Sequence, residues 1–137
     1  MNPLNKETLM TSSAAQPIAG GPALNDAVAY DRRWLIVDQT DAWLDPGRAP
    51  RLAQLELSLR FGYLVIRAPG MLRLDVPLDV IEDDASVDRM AQVGSAAVRT
   101  VDEGDLAAAW FTEWLGQPCK LLKVHPDAEA VSWPDRT

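Results

Sequence analysis

Apolar positions fall in short runs and alternations over most of this chain. Arg33 to Val37 is apolar on both faces, with Trp34 and Ile36 on one and Leu35 and Val37 on the other. That predicts a strand covered from both sides. Ala42-Trp43-Leu44 predicts a short strand, ended by the turn signal Asp45-Pro46-Gly47. Between Leu52 and Arg60, Ala53, Leu55, Leu57 and Leu59 alternate with Gln54, Glu56, Ser58 and Arg60. This predicts a strand with one buried face. Gly62 marks a hairpin into the β-rich run from Tyr63 to Arg67. Ala68-Pro69-Gly70 suits a type II turn, and Leu72, Leu74, Val76 and Leu78 then alternate with Arg73 and Asp75. Three successive strands with short turns make a meander, whose edges need closure or cover.

Val80-Ile81 leads into an acidic loop, and Ala97 to Val101 reads as another strand. The period then changes. Asp102 suits a helix cap, and Glu103 and Asp105 favour the positive end of the dipole. Leu106, Trp110 and Trp114 form one helical stripe, widened by Phe111 and Leu115. Gly116 fits just past the helix end, with Pro118 beyond it. Cys119 to Val124 predicts a closing strand. The fold class is therefore mostly β with one α-helix: a small, partly open or closed β-barrel, the helix packed near its end. Residues 1–15 read as a flexible tail, 16–24 as loop or frayed first strand, and 16–127 as the domain. Residues 128–137 read as a second tail, in which Trp133 is placed to dock.

Composition narrows the function classes. With 137 residues, 47% of them hydrophobic and 24% charged, the chain suits one soluble domain with one core. A net charge of −7 disfavours nucleic acid and anionic membrane surfaces as partners, because both need a basic face. Cys119 is the single cysteine, so no intramolecular disulfide forms. Met1 to Ala23 contains no continuous apolar segment of the kind a signal peptide or membrane span needs, which makes the cytoplasm the default location.

Four segments together resemble the MOSC amino-terminal β-barrel domain. Tyr30-Asp31-Arg32-Arg33-Trp34-Leu35-Ile36-Val37-Asp38 is similar to the family's Asp-Arg-x-Trp strand. Asp45-Pro46-Gly47-Arg48-Ala49-Pro50-Arg51-Leu52-Ala53 is similar to its Gln-Arg-x-x-Pro-x-Leu-Ala segment, with Arg48 at the arginine. Ala109 to Gly116 resembles its Trp-(Phe/Leu)-Ser-x-x-Leu-Gly helix, and Gln117 to Leu122 its Pro-x-(Arg/Lys)-Leu strand. The likeness runs from about Gln16 to Asp127. It implies a barrel that precedes a MOSC domain, which holds a molybdenum cofactor. The family's opening Tyr-Pro-(Val/Ile)-Lys-Ser strand supplies a lysine and a serine to the cofactor phosphate. Here Gln16-Pro17-Ile18-Ala19-Gly20 has neither. A MOSC domain would begin near residue 130, and the family's cofactor-binding cysteine belongs to that domain; Cys119 is not its counterpart.

Each candidate residue has a chemical and a structural reading. Arg32 aligns with the family arginine that contacts the phosphate, a task suited to a guanidinium fork. The structural reading pairs it with Asp31, Asp38 or a carbonyl. Arg48 and Arg51 either extend a phosphate pocket or form a solvated loop. Cys119 is a nucleophile only with a base and a lowered pKa, and otherwise a small core residue. His125, the single histidine, cannot build a zinc site alone and reads as a turn residue. Glu82, Asp83, Asp84 and Asp88 lack the spacing of a calcium loop and read as a solvated acidic loop. Trp110, Phe111 and Trp114 are either core or an exposed docking face left by an absent partner domain.

No catalytic, cofactor-binding or metal site is assigned from these residues. The leading expectation is a non-catalytic module that supports or docks to a MOSC domain in trans, binding no cofactor by itself. The alternative is a stand-alone carrier of an anionic small molecule, such as a pterin phosphate, gripped by Arg32 and Arg48. An enzyme is the third reading, and no acid–base or nucleophile constellation supports it.

Overall fold

The computed structural model describes residues 14–79 and 87–134. Within them lie the strands β1 (Ala14–Ala15), β2 (Leu24–Asn25), β3 (Trp34–Val37), β4 (Glu56–Arg60), β5 (Tyr63–Arg67), β6 (Leu74–Pro77), β7 (Asp88–Val93), β8 (Ala96–Asp102) and β9 (Lys120–Val124). One α-helix, α1 (Asp105–Leu115), and two 3-10 turns, Val28–Tyr30 and Pro50–Gln54, complete the described elements. The fold is mostly β, as the patterning predicts.

The larger sheet runs β3-β9-β8-β7, all antiparallel. Its two outer strands are joined through residues 42 and 43. Trp43 bridges Val37 of β3, and Ala42 bridges Gln92 of β7. The Trp43 amide donates to the Gln92 carbonyl at 2.9 Å, and the Leu44 amide to Ile36 at 2.8 Å. The short strand expected at 42–44 is thus the strip that closes the sheet on itself. This closure covers the outer edges of β3 and β7 at that point, the usual hazard of a small sheet. Residues 16–19 run parallel to the start of β3: Trp34 N–H donates to Pro17 and Ala19 N–H to Trp34.

The two faces of β3 divide the core. Leu35 and Val37 join Trp43, Ala91, Val93, Val98 and Leu122 inside the barrel. Trp34 and Ile36 turn outward, into a second cluster with Leu52, Leu64, Ile66, Val76, Phe111 and Leu121. That second layer is roofed by the separate sheet β4-β5-β6 and by α1, which lies on β9, β6 and the Pro50–Gln54 turn. A strand apolar on both sides is what such a shared wall requires.

Three local expectations are corrected. Residues 50–54 form a 3-10 turn, and β4 starts only at Glu56. Pro50 fixes φ and lacks a donor, which suits the first position of a helical turn rather than a paired strand. Leu52 is buried there while Ala53 points out. The helix begins at Asp105, with Gly104 as its cap; Asp102 instead accepts the Gly104 amide at 2.9 Å. Its buried stripe is Ala107, Trp110, Phe111 and Trp114, whereas Leu106 is 77% exposed. Finally, β7 was not predicted; Asp88 lies on it, so only residues 82–84 of the acidic run remain as candidates, and these fall outside the described residues. The turn at Ala68-Pro69-Gly70 is as predicted: Met71 N–H donates to Ala68 and Gly70 has φ +78°. At the helix end Gly116 takes φ +74°, and its amide donates to Thr112.

Candidate functional site

The three arginines do not converge. Arg32 sits at the entrance of β3 with φ +51° and is buried. Its guanidinium lies over the Trp133 ring, 5.1 Å from the centroid. Trp133, in turn, meets Trp43 edge-on at 5.0 Å and belongs to the barrel's core. A recess of about 260 Å³ beside Arg32 is walled by His125, Glu129 and Val131 as well as Trp133. Arg48 is exposed and donates to Asp38 at 2.7 Å. Asp38 also accepts from the Thr40 hydroxyl and from the amides of Thr40 and Ala42. These bonds, the Thr40 hydroxyl first, hold its carboxyl well below the usual carboxylate range. Arg51 lies over Trp114 at 4.0 Å, while its carbonyl accepts the Trp114 indole N–H.

Cys119 is buried, and burial pushes its thiol up, away from thiolate chemistry. The Thr112 hydroxyl accepts its backbone amide at 3.2 Å. His125 Nδ1 accepts the Asp127 amide at 3.0 Å, so this nitrogen is a turn-forming acceptor. Asp88 lies 3.5 Å from Arg99 across the β7–β8 pair. Among the described residues no group of three or more His, Cys, Asp or Glu is placed to hold a metal ion. No helix among them is long and apolar enough to cross a membrane.

Of the two readings of the helix's aromatic residues, core and docking face, the structure bears out core. Trp110, Phe111 and Trp114 are all buried beneath the second sheet. The Trp110 indole N–H donates to the Leu72 carbonyl at 2.6 Å, which fixes that ring inward. At this spacing the aromatic stripe is core.

Two features escape the sequence reading. The first is a buried polar cluster between the two sheets. Lys123 on β9 is 0% exposed. Its ammonium donates to the Pro77 carbonyl of β6 at 2.8 Å and lies 3.3 Å from Glu103. Glu103 accepts the Trp34 indole N–H at 2.7 Å. Burial pushes the Glu103 carboxyl above its usual value, opposed by Trp34 and Lys123. This cluster is a satisfied brace: Lys123, Glu103 and the Trp34 indole each have a partner within it. The second feature is Phe61 at the β4–β5 hairpin, whose turn Gly62 correctly marks. Phe61 and Gly62 both have positive φ, +51° and +83°, the form of a two-residue hairpin turn that favours Asn-Gly. Phe61 is 94% exposed, and Tyr63 beside it is also exposed.

The comparisons place this geometry. The MOSC N-terminal beta barrel domain matches residues 12–118. A solution structure of a Bordetella bronchiseptica protein is similar to the fold, with a TM-score of 0.77 and 52% identity, covering 92% of this chain and 98% of that one. Human molybdenum cofactor sulfurase is 32% identical over 120 residues, which is 86% of this chain but 13% of that protein. Rat mitochondrial amidoxime reducing component 2 is 28% identical over 85 residues, 62% of this chain and 25% of that protein. The chain thus spans only a small part of the curated relatives it matches, and it belongs to the MOSC N-terminal beta barrel domain family.

Proposed function

We propose that this chain is a non-catalytic module that docks to a MOSC domain through the tip of its β4–β5 hairpin. The observation that carries the reading is Phe61. It is an apolar ring at 94% exposure, held in a left-handed conformation that costs a bulky residue roughly 1–2 kcal/mol. Strain and exposure at one residue are a cost that a partner's pocket would offset, and apolar anchors of this kind concentrate binding energy. The candidate chemical groups, by contrast, are engaged within the fold.

The family context implies a molybdenum cofactor, and the residues present do not fit its phosphate. Arg32 lies beneath Trp133, and residues 16–20 bring neither lysine nor serine to it. The carrier reading needs Arg32 and Arg48 on one recess; the recess beside Arg32 is lined by Arg33, Asp31 and Glu129 and not by Arg48, which pairs with Asp38, and this weighs against it. Hydrogen exchange of this chain, alone and mixed with the MOSC portion of a molybdenum cofactor sulfurase, tests the docking. Protection confined to residues 60–63 and their neighbours is expected. Protection centred on Arg32 and Arg48 instead would favour the carrier reading.

A further inference from the structure

We infer that the open edge of β8 accepts one extended strand of a partner polypeptide carrying a basic side chain. β8 runs from Ala96 to Asp102, but β9 pairs with it only at Thr100, Val101 and Asp102. The His125 amide still donates to Arg99, and the chain then leaves the sheet at Pro126. In an antiparallel ladder, alternate residues aim their backbone groups at opposite neighbours. Arg99 and Val101 face β9, so Ala97 faces the same side, beyond the point where β9 ends. Among the described residues no backbone bond reaches Ala97 from that side.

The space opposite is a slot and not open solvent. Residues 127–132 form its far wall, and the slot measures about 450 Å³. The wall is fixed at its end. Trp133 is seated on Trp43, and Pro134 lies so close to Gly94 that a Cβ there would sit 3.0 Å from Pro134 Cγ. An unpaired strand edge beside a fixed wall is the arrangement in which β-strand addition operates: main-chain bonds give affinity and side-chain contacts give selection.

The lining selects by charge. Asp127 and Glu129 are exposed in the wall, while the slot's cation, Arg99, lies 3.5 Å from Asp88. The chain's net charge of −7 adds to this bias. Met90, on the strand beside β8, gives an exposed apolar contact. The occupant is therefore an extended peptide alternating small apolar residues with lysine or arginine. This site uses the barrel, and it stands independently of the hairpin-tip docking.

The test is a heteronuclear NMR titration of the full chain with the capped peptide Thr-Val-Lys-Val-Lys-Val-Thr. Saturable shifts confined to residues 96–99 and 127–132, with a dissociation constant below about 1 mM, are expected. The same peptide with glutamate for lysine is expected to bind at least about fivefold more weakly, as is the wild-type peptide to Asp127→Lys/Glu129→Lys. Ala97→Pro removes the outward donor without touching the β7 ladder and is expected to abolish the shifts. Should that variant unfold, the charge reversal still decides. Absent shifts, or equal binding of both peptides, would overturn the proposal. So would concentration-dependent shifts of the same amides without peptide, which would assign the edge to a second copy of the chain.

Discussion

Lys123 and Glu103 meet at 3.3 Å in the interior, between the closed barrel and the three-stranded sheet. Lys123 leaves β9 toward the Pro77 carbonyl, and Glu103 receives the Trp34 indole. One ion pair therefore ties four separate segments together. Removing one partner of such a pair costs on the order of 3–5 kcal/mol, because the other is left charged in apolar surroundings. Lys123→Met is expected to lower the urea midpoint accordingly. Combining it with Glu103→Gln is expected to recover much of the loss, and a double-mutant cycle measures the coupling.

The same pair gives a pH dependence with a definite sign. Glu103 is raised above 4.5 in the folded chain, so folding favours its protonated form. Its stabilising contribution is complete below pH 4.5 and is lost as pH rises from there through the raised value. Asp38 runs the other way. Its lowered pKa contributes stability above pH 3.8, lost as pH falls below that value. Denaturation midpoints against pH check both: Asp38→Asn is expected to cost about 1–2 kcal/mol at neutral pH and progressively less in acid.

Phe61→Asn relieves the left-handed strain and restores the residue this turn favours. It is expected to stabilise the chain by about 1 kcal/mol, raising Tm by roughly 3 °C. A thermal melt decides. A lower Tm would show that the ring is held by contacts within the fold.

Trp133→Ala leaves a hole beside Trp43 and uncovers Arg32. A loss of about 3–5 kcal/mol is expected from a buried tryptophan, read by urea unfolding. A change under 1 kcal/mol would mean that residues 128–134 contribute little to the barrel.

Cys119 is expected to react with a thiol reagent at least about tenfold more slowly in the native chain than in urea, since it is buried and its thiol pushed up. Equal rates would contradict its placement behind Thr112.

Much of the frame was legible in the sequence. The two-faced run Trp34–Val37, the turn at Pro69-Gly70 and the Gly116 stop each rest on a local rule, and each holds. What was missed depends on neighbours distant along the chain. Lys123 reads as a surface charge between apolar residues, because nothing local shows that Pro77 and Glu103 await it. Trp34 and its acceptor Glu103 are 69 positions apart. β7 was lost because Ala91 and Val93 are its only buried residues. The aromatic stripe on α1 has the same pattern as core or as docking face, and only the sheet above it distinguishes them. Gly62 marked the hairpin, but Phe61 was overlooked because phenylalanine is not a residue that ordinarily takes the positive φ beside it.

The docking reading is tested most directly by isothermal titration of this chain into the isolated MOSC portion of a molybdenum cofactor sulfurase. Binding with a negative heat-capacity change, weakened about tenfold or more by Phe61→Asn, is the predicted result. No binding, or binding that Phe61→Asn leaves unchanged, would contradict the account.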